Sequence, residues 1–499
     1  MNPQYRKIGL FDHMGFGNMG DAAIHESFIT NIRRRMPDAN LIAFSLYPDD
    51  TKQRHGLTCY PIRWCDPGWR AAEAAPSAGG TSSSAGVKAF LKKRRVFYAV
   101  AKPVHDYLQE LAHLVRSYKA VRSLDVLIMA GGGQLCELYA DLPYNVFKFC
   151  VLAKLARTPV YFVGVGADLL KSPVNKFFAR WSVRLAKYAC FRSVESQALV
   201  RSLGVKRETH VCPDPAYALD AQEYLASSPP ETLSPAQARD LLSKLGLNPA
   251  TYFSRSGAHD ADTRENGSDQ PFESPARTVG LNPISFCDPR RWPRKDAAVY
   301  NRYLRELTAF CSWLLAENYD LEIFTSDLMD LYAMEDLRDR LLAEVPAASA
   351  SRLSFRPALS LRELLSQMSG FDFVVTSKFH GVIFSHLLGK PVMALSYLPK
   401  IDHLMRTVGH DSYCLSVEHV DANWLIEGFQ RLAREKSDLK SLFRKTCEAY
   451  SRTLKDEFDA VFMPDRRSIT SEDSKPVGNR GARRVGQTAL KRRRLGGLE

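Results

Sequence analysis

The chain has 499 residues, of which 45% are hydrophobic, 25% charged and 10% aromatic, which excludes a disordered chain, a collagen-like repeat and a small disulfide scaffold. At roughly 100–200 residues per domain the length holds about two to four domains. The formal net charge is +13, yet residues 466–499 alone hold ten basic against three acidic residues, so the excess sits in a tail and argues against a nucleic-acid enzyme.

In chain order, Lys7–Phe11 reads as a short apolar strand and Asp21–Arg35 as a helix, with apolar spacing at Ile24, Phe28 and Ile32. Leu41–Phe44 is a second strand. Asp125–Ala130 is a strand, wholly apolar after Asp125, running into Gly131, Gly132 and Gly133. Pro159–Val163 is another, running into Gly164-Val165-Gly166. A second series follows: strand Val279–Asn282, helix Asp296–Glu317, strand Leu321–Phe324, helix Leu328–Val345, strand Phe371–Thr376, a helix from about Gly381, and strand Pro391–Leu395. Residues 422–462 read as helix that packs back on the first series. Uninterrupted apolar strands suit parallel sheets covered on both faces, and their alternation with helices indicates an α/β doubly wound fold.

The expected organisation is therefore a first domain over 1–220, a linker and polar insertion over 221–278, a second domain over 279–462 and a basic tail over 463–499. Residues 71–86 read as a flexible loop, and residues 252–277 as a poor core-former rich in Ser, Gly, Asp, Arg and Pro. The tail could touch anionic lipid or simply solubilise the chain. The N-terminus lacks the apolar core of a secretory signal, and no window approaches 18 consecutive apolar residues. The ten Cys are scattered without zinc spacing, the pattern of reduced cytosolic thiols, so no metal is expected.

Five segments carry chemistry. The first, Gly15-Phe16-Gly17-Asn18-Met19-Gly20-Asp21, follows a strand and opens a helix. Its glycines allow close backbone approach, and the helix start offers N–H groups to an anion. Asp21 could cap that helix instead. The Gly-x-Gly-x-x-Gly string is a weak dinucleotide signal, because no clear acidic partner follows at a second strand end. The second segment, Gly131 to Gly133, is either a ligand-facing turn or purely structural. In the third, Arg192 stands at a strand end, where its planar fork suits a carboxylate or phosphate, or a local acid such as Glu195. The fourth, Thr376-Ser377-Lys378-Phe379-His380-Gly381, sets a cation and an imidazole before a helix; strand alternation would put Lys378 and His380 on one side. The fifth, Ser396 to Lys400, could close the same pocket with Lys400 or leave it at the surface.

This ordered set resembles the polysaccharide pyruvyl transferase family. The likeness runs over about residues 8–410 and includes Asp125 to Gly133, Gly164–Gly166, Arg192 with Ser196, the Asp214-Pro215 pair, and Tyr397 with Lys400. It departs at Lys378, where the family usually has Arg; lysine keeps the charge and loses the bidentate fork. The resemblance implies two Rossmann-like domains facing a cleft, similar to the glycosyltransferase-B arrangement. It implies transfer of a pyruvyl group from phosphoenolpyruvate to a sugar as a cyclic ketal, with release of phosphate. Phosphoenolpyruvate is then the donor substrate and no cofactor is required. The acceptor sugar would be lipid- or nucleotide-linked, and the enzyme cytoplasmic at the inner membrane face. His380 is the expected general acid, and Asp21 is expected to orient the acceptor or act as base. Arg192, Lys378 and Lys400 are expected to bind the donor, with Asn18, Gly20, Gly131, Gly132, Gly133 and Gly381 contributing to the substrate site. The competing readings are a nucleotide-sugar glycosyltransferase, a non-catalytic sugar-binding protein of envelope assembly and, from the tail alone, a nucleic-acid binder.

Overall fold

The computed structural model describes residues 5–12, 17–64, 108–137, 142–227, 277–290 and 292–463. The expected loop at 71–86, nearly all of the expected insertion at 252–277, the tail beyond Met463 and Gly15-Phe16 of the first glycine-rich segment lie outside these residues.

Among the described residues, nine strands belong to the first half: β1 Lys7–Phe11, β2 Asn40–Ser45, β3 Thr58–Pro61, β4 Val126–Ala130, β5 Leu135–Cys136, β6 Val160–Val165, β7 Ala167–Asp168, β8 Tyr188–Phe191 and β9 His210–Val211. Seven form a parallel sheet in the order β3-β2-β1-β4-β6-β8-β9, while β5 and β7 pair separately. The second half contributes β10 Thr278–Asn282, β11 Asp320–Thr325, β12 Leu353–Pro357, β13 Phe373–Thr376, β14 Val392–Ser396 and β15 Cys414–Ser416. They form a parallel sheet in the order β12-β11-β10-β13-β14-β15. Both sheets share one winding: the chain moves outward from a first strand, then returns to lay the next strand on that strand's other side. Each reversal, between β1 and β4 and between β10 and β13, leaves a crevice at the carboxyl ends of the strands, where open α/β sheets take ligands. The protein thus has two Rossmann-like doubly wound sheets, in the glycosyltransferase-B-like class.

The central strands form because both faces are covered. Val126, Ile128 and Ala130 of β4 join one apolar cluster, and Leu127 and Met129 join another, as the period of two along a strand requires. The second cluster is closed by Phe11, Phe44, Phe149 and Phe162, all fully buried. The first cluster continues into the other half, because the helix Met19–Arg35 packs on the C-terminal helix Lys436–Phe462. There the Phe28 and Phe458 rings meet edge to face at 5.2 Å, Arg35 Nε donates to Asp459 at 2.6 Å, and Tyr188 Oη donates to Glu457 at 2.8 Å.

Residues 422–462 are two helices, Ala422–Arg434 and Lys436–Phe462, separated at Glu435. The first is capped by the Asp421 side chain, which accepts from Trp424 N. Among the described residues no helix is long and apolar enough to cross a membrane.

Candidate active site

The two crevices meet at main-chain level. Met19 N donates to Ser326 O at 2.9 Å, Leu328 N donates to Gly17 O at 3.2 Å, and Asn18 forms an isolated antiparallel bridge with Asp327. The loop leaving β1 is thereby joined to the loop leaving β11. This seam fixes the start of the helix Met19–Arg35 against the second half.

Asn18 caps that helix: its Oδ1 accepts from Gly20 N at 3.0 Å and Asp21 N at 3.3 Å. Two expectations change as a result. Asn18 Oδ1 and the Gly20 N–H satisfy one another, so neither of these two groups is free for substrate. Asp21 is released from the capping role and keeps its carboxyl for other work. Gly20 serves by its missing side chain, because a Cβ there would overlap the His380 imidazole. The helix Phe379–Leu387 that carries His380 therefore lies directly on the Gly20 backbone.

The electrostatics of this contact are unusual. Burial, then the charges of Asp12 and Asp327, push Asp21 up to about 8, against the pull of Lys400 and Arg192. Burial is also the main reason that the His380 imidazole is pushed down to about 3; Asp214 opposes the shift, while Lys400, Arg192 and Lys378 add to it. His380 Nε2 is buried, makes no hydrogen bond and lies 3.9 Å from Asp214 Oδ1. At neutral pH the carboxyl holds a proton and the imidazole is neutral.

Arg192 follows β8, as its strand-end position implied, and its acidic partner is Asp214 rather than Glu195: Nη1 donates to Asp214 Oδ2 at 3.1 Å. Asp214 Oδ1 also accepts from Ala216 N, and this cap holds the carboxylate in place. The Arg192 guanidinium carbon stands 4.7 Å from the centre of the Phe379 ring, and Lys400 Nζ stands 5.4 Å from the same ring. Phe379 is thus a shared aromatic partner between two cations, a favourable cation–π arrangement. Arg192, Asp214, Phe379, Lys400 and His403 wall a cavity of about 410 Å³ that is built from both halves.

Lys378 is placed differently from the expectation. The helix begins at Phe379, so strand alternation no longer relates Lys378 to His380. Lys378 Nζ is held by Asp327 at 3.0 Å and Asp330 at 2.6 Å. Burial alone would lower its affinity for a proton, but the two carboxylates outweigh that and hold it well above the usual lysine range. A charge spent on two acids has little left for a donor anion. Gly381 likewise is a packing residue: a Cβ there would overlap the Thr376 side chain. Gly131 and Gly132 turn with φ of +59° and +69°, and Gly131 N donates to Val163 O, so this turn is structural; Gly133 faces Arg192.

Asp12, Asp327 and Asp330 escaped the sequence reading, and Phe379 was given no role there. Asp12 follows β1, Asp327 and Asp330 follow β11 and Phe379 follows β13, so a place just beyond the carboxyl end of a strand was the available signal. Among the described residues no group of three or more His, Cys, Asp or Glu could hold a metal ion.

Solved structures of similar shape include a UDP-GlcNAc 2-epimerase from Neisseria meningitidis, at 10% identity and TM-score 0.49, covering 88% of this chain and 93% of that one. Others are a glycosyltransferase from Rickettsia africae, at 9% identity and TM-score 0.46, covering 91% and 100%, and the spinosyn rhamnosyltransferase SpnG, at 14% and 0.42, covering 89% and 96%. No curated protein matches the sequence. Residues 18–399, which hold the Asn18 cap, Arg192, Asp214, His380 and β14, match polysaccharide pyruvyl transferase, and the chain belongs to that family.

Proposed function

We propose that the protein transfers the pyruvyl group of phosphoenolpyruvate to two hydroxyls of one sugar, forming a cyclic ketal and releasing phosphate. The observation that carries this reading is the convergence of Arg192, Lys400, Asp21 and His380 at one seam, in a chain of this family. The donor carries a carboxylate and a phosphate. Arg192 and Lys400, on either side of Phe379, are the cations offered to them.

The reaction needs a proton on the methylene carbon of the enol, which makes the neighbouring carbon electrophilic. The charge states suggest exchanging the roles expected from sequence. Asp21, protonated at neutral pH, gives its proton to the methylene carbon. The first sugar hydroxyl forms a C–O bond to the electrophilic carbon and gives its proton to His380 Nε2. The bond from that carbon to the phosphate oxygen then breaks, and phosphate leaves with the proton from His380. The second hydroxyl closes the ring and returns a proton to Asp21. Protons balance over the cycle, and no oxidant or reductant is needed. Lys400 and Arg192 stabilise the Asp21 carboxylate while it is deprotonated.

The test is thermal unfolding with phosphoenolpyruvate, phosphate, pyruvate and nucleotide sugars, followed by assay of phosphate release. A ligand of the folded state stabilises by about 2.7 kcal/mol at 100 times its dissociation constant. Phosphoenolpyruvate should shift the transition, and Arg192→Ala should remove the shift. A shift with a nucleotide sugar and none with phosphoenolpyruvate would replace this reading with glycosyl transfer.

A further inference from the structure

One face of the first half lies outside all of this chemistry. The helices Leu142–Ala156 and Pro173–Leu185 pack side by side and present a patch of aromatic rings. Phe177 is 50% exposed, Trp181 39%, Tyr144 40% and the neighbouring Val174 59%. The rings form a connected set: Phe147 to Phe178 at 5.2 Å, Tyr144 to Phe178 at 5.4 Å and Phe177 to Trp181 at 6.1 Å. Scattered exposed apolar residues are ordinary, but a contiguous aromatic patch marks a surface that meets something.

Charge identifies the partner. From residue 171 to 187 the chain carries Lys171, Lys176, Arg180, Arg184 and Lys187 and no acidic residue. The helix Leu142–Ala156 adds Lys148 and Lys154, again with no acid. Lys148 is engaged by Glu110 at 3.3 Å, whereas Arg184 stands over the Trp181 ring at 5.1 Å. A two-fold contact between copies would set these cations against one another. Trp and Tyr rings rimmed by Lys and Arg instead suit the boundary between head groups and acyl chains, with the cations on anionic lipid.

We propose that this face docks the protein on an anionic membrane surface. The proposal does not depend on the reaction assigned above.

The test is flotation of the full chain with phosphatidylcholine vesicles, with and without phosphatidylglycerol. Binding should require phosphatidylglycerol and weaken with salt. Phe177→Ser with Trp181→Ser should abolish it while the protein stays folded, since both side chains lie at the surface and are only partly buried by their neighbours. Each near-surface cation is worth about fivefold in partitioning, so Lys176→Glu with Arg184→Glu should weaken binding at least about twenty-five-fold. Removal of residues 466–499 should leave aromatic-dependent binding in place. The proposal is overturned if the full chain ignores the vesicles. It is equally overturned if tail removal alone abolishes binding while the serine variant still binds. A wild-type dimer that becomes monomeric in the serine variant, without vesicle binding, would assign the face to self-association.

Discussion

Asp21→Asn separates the two consequences of a buried proton. The native carboxyl moves from an ordinary value of 3.8 up to about 8, and each unit corresponds to about 1.4 kcal/mol. The folded form therefore holds this proton more tightly than the unfolded form. The stability it contributes is fully present below about 3.8, falls as pH rises, and is exhausted above about 8. Taken at face value the loss between those limits approaches 6 kcal/mol on the order-of-magnitude scale. The side chain is only partly shielded from solvent, which reduces the loss to roughly 2 kcal/mol. Asparagine fills the same space and has no proton to lose. The variant should gain on the wild type as pH rises from 4 to 8, by a few degrees in Tm, and the gap should then stay level. Its phosphate release should fall by about 10²–10⁴, the range for a lost general acid. The wild-type kcat/KM should decline above pH ~8, where Asp21 ionises. Melting curves of both proteins in a series of buffers, beside an assay of phosphate release, test both halves. A stability gap that does not change with pH would refute the buried-proton argument. Full activity in Asp21→Asn would remove Asp21 from the reaction.

Gly20→Ala should keep the fold but displace the imidazole that rests on it. A shift near 1 Å at a reacting group costs about 10² in rate, so kcat should drop by about that factor, and restored activity would require His380 to have moved harmlessly. Lys378→Ala should cost about 3–5 kcal/mol in urea unfolding, because it strands Asp330, a buried acid that burial already pushes up to about 6 against the pull of Lys378. A loss below about 1 kcal/mol would mean that water already screens the pair.

The sequence was most readable where the chain is most buried. The apolar runs at β1, β4, β6, β10 and β13 are covered on both faces, so hydrophobicity marked them directly. The edge strands β3, β9 and β12 were missed because they are partly or largely exposed and carry polar residues. Lys400 and His380 were singled out because each follows a strand that the apolar pattern marks, and Arg192 because it was read at a strand end. What composition cannot report is which neighbour takes a charge. Asp327 and Asp330 reach Lys378 across the sheet, and Asp214, 22 residues beyond Arg192, reaches its guanidinium. Likewise Asn18 rather than Asp21 became the helix cap by geometry that spacing alone leaves open.

The main-chain seam between Met19 and Ser326 has a mechanical consequence. With backbone bonds on one side and the helix Lys436–Phe462 lying across both halves, the halves cannot part evenly. A swing about the seam is the opening that would leave those backbone bonds intact. Asp21 and His380 sit beside the pivot and travel little, whereas Arg192 and Lys400 come from opposite halves. Such a swing would draw Arg192 and Lys400 away from one another across Phe379 while Gly20 stays against His380, so the hold on an anion would slacken before the contact between the two helices does.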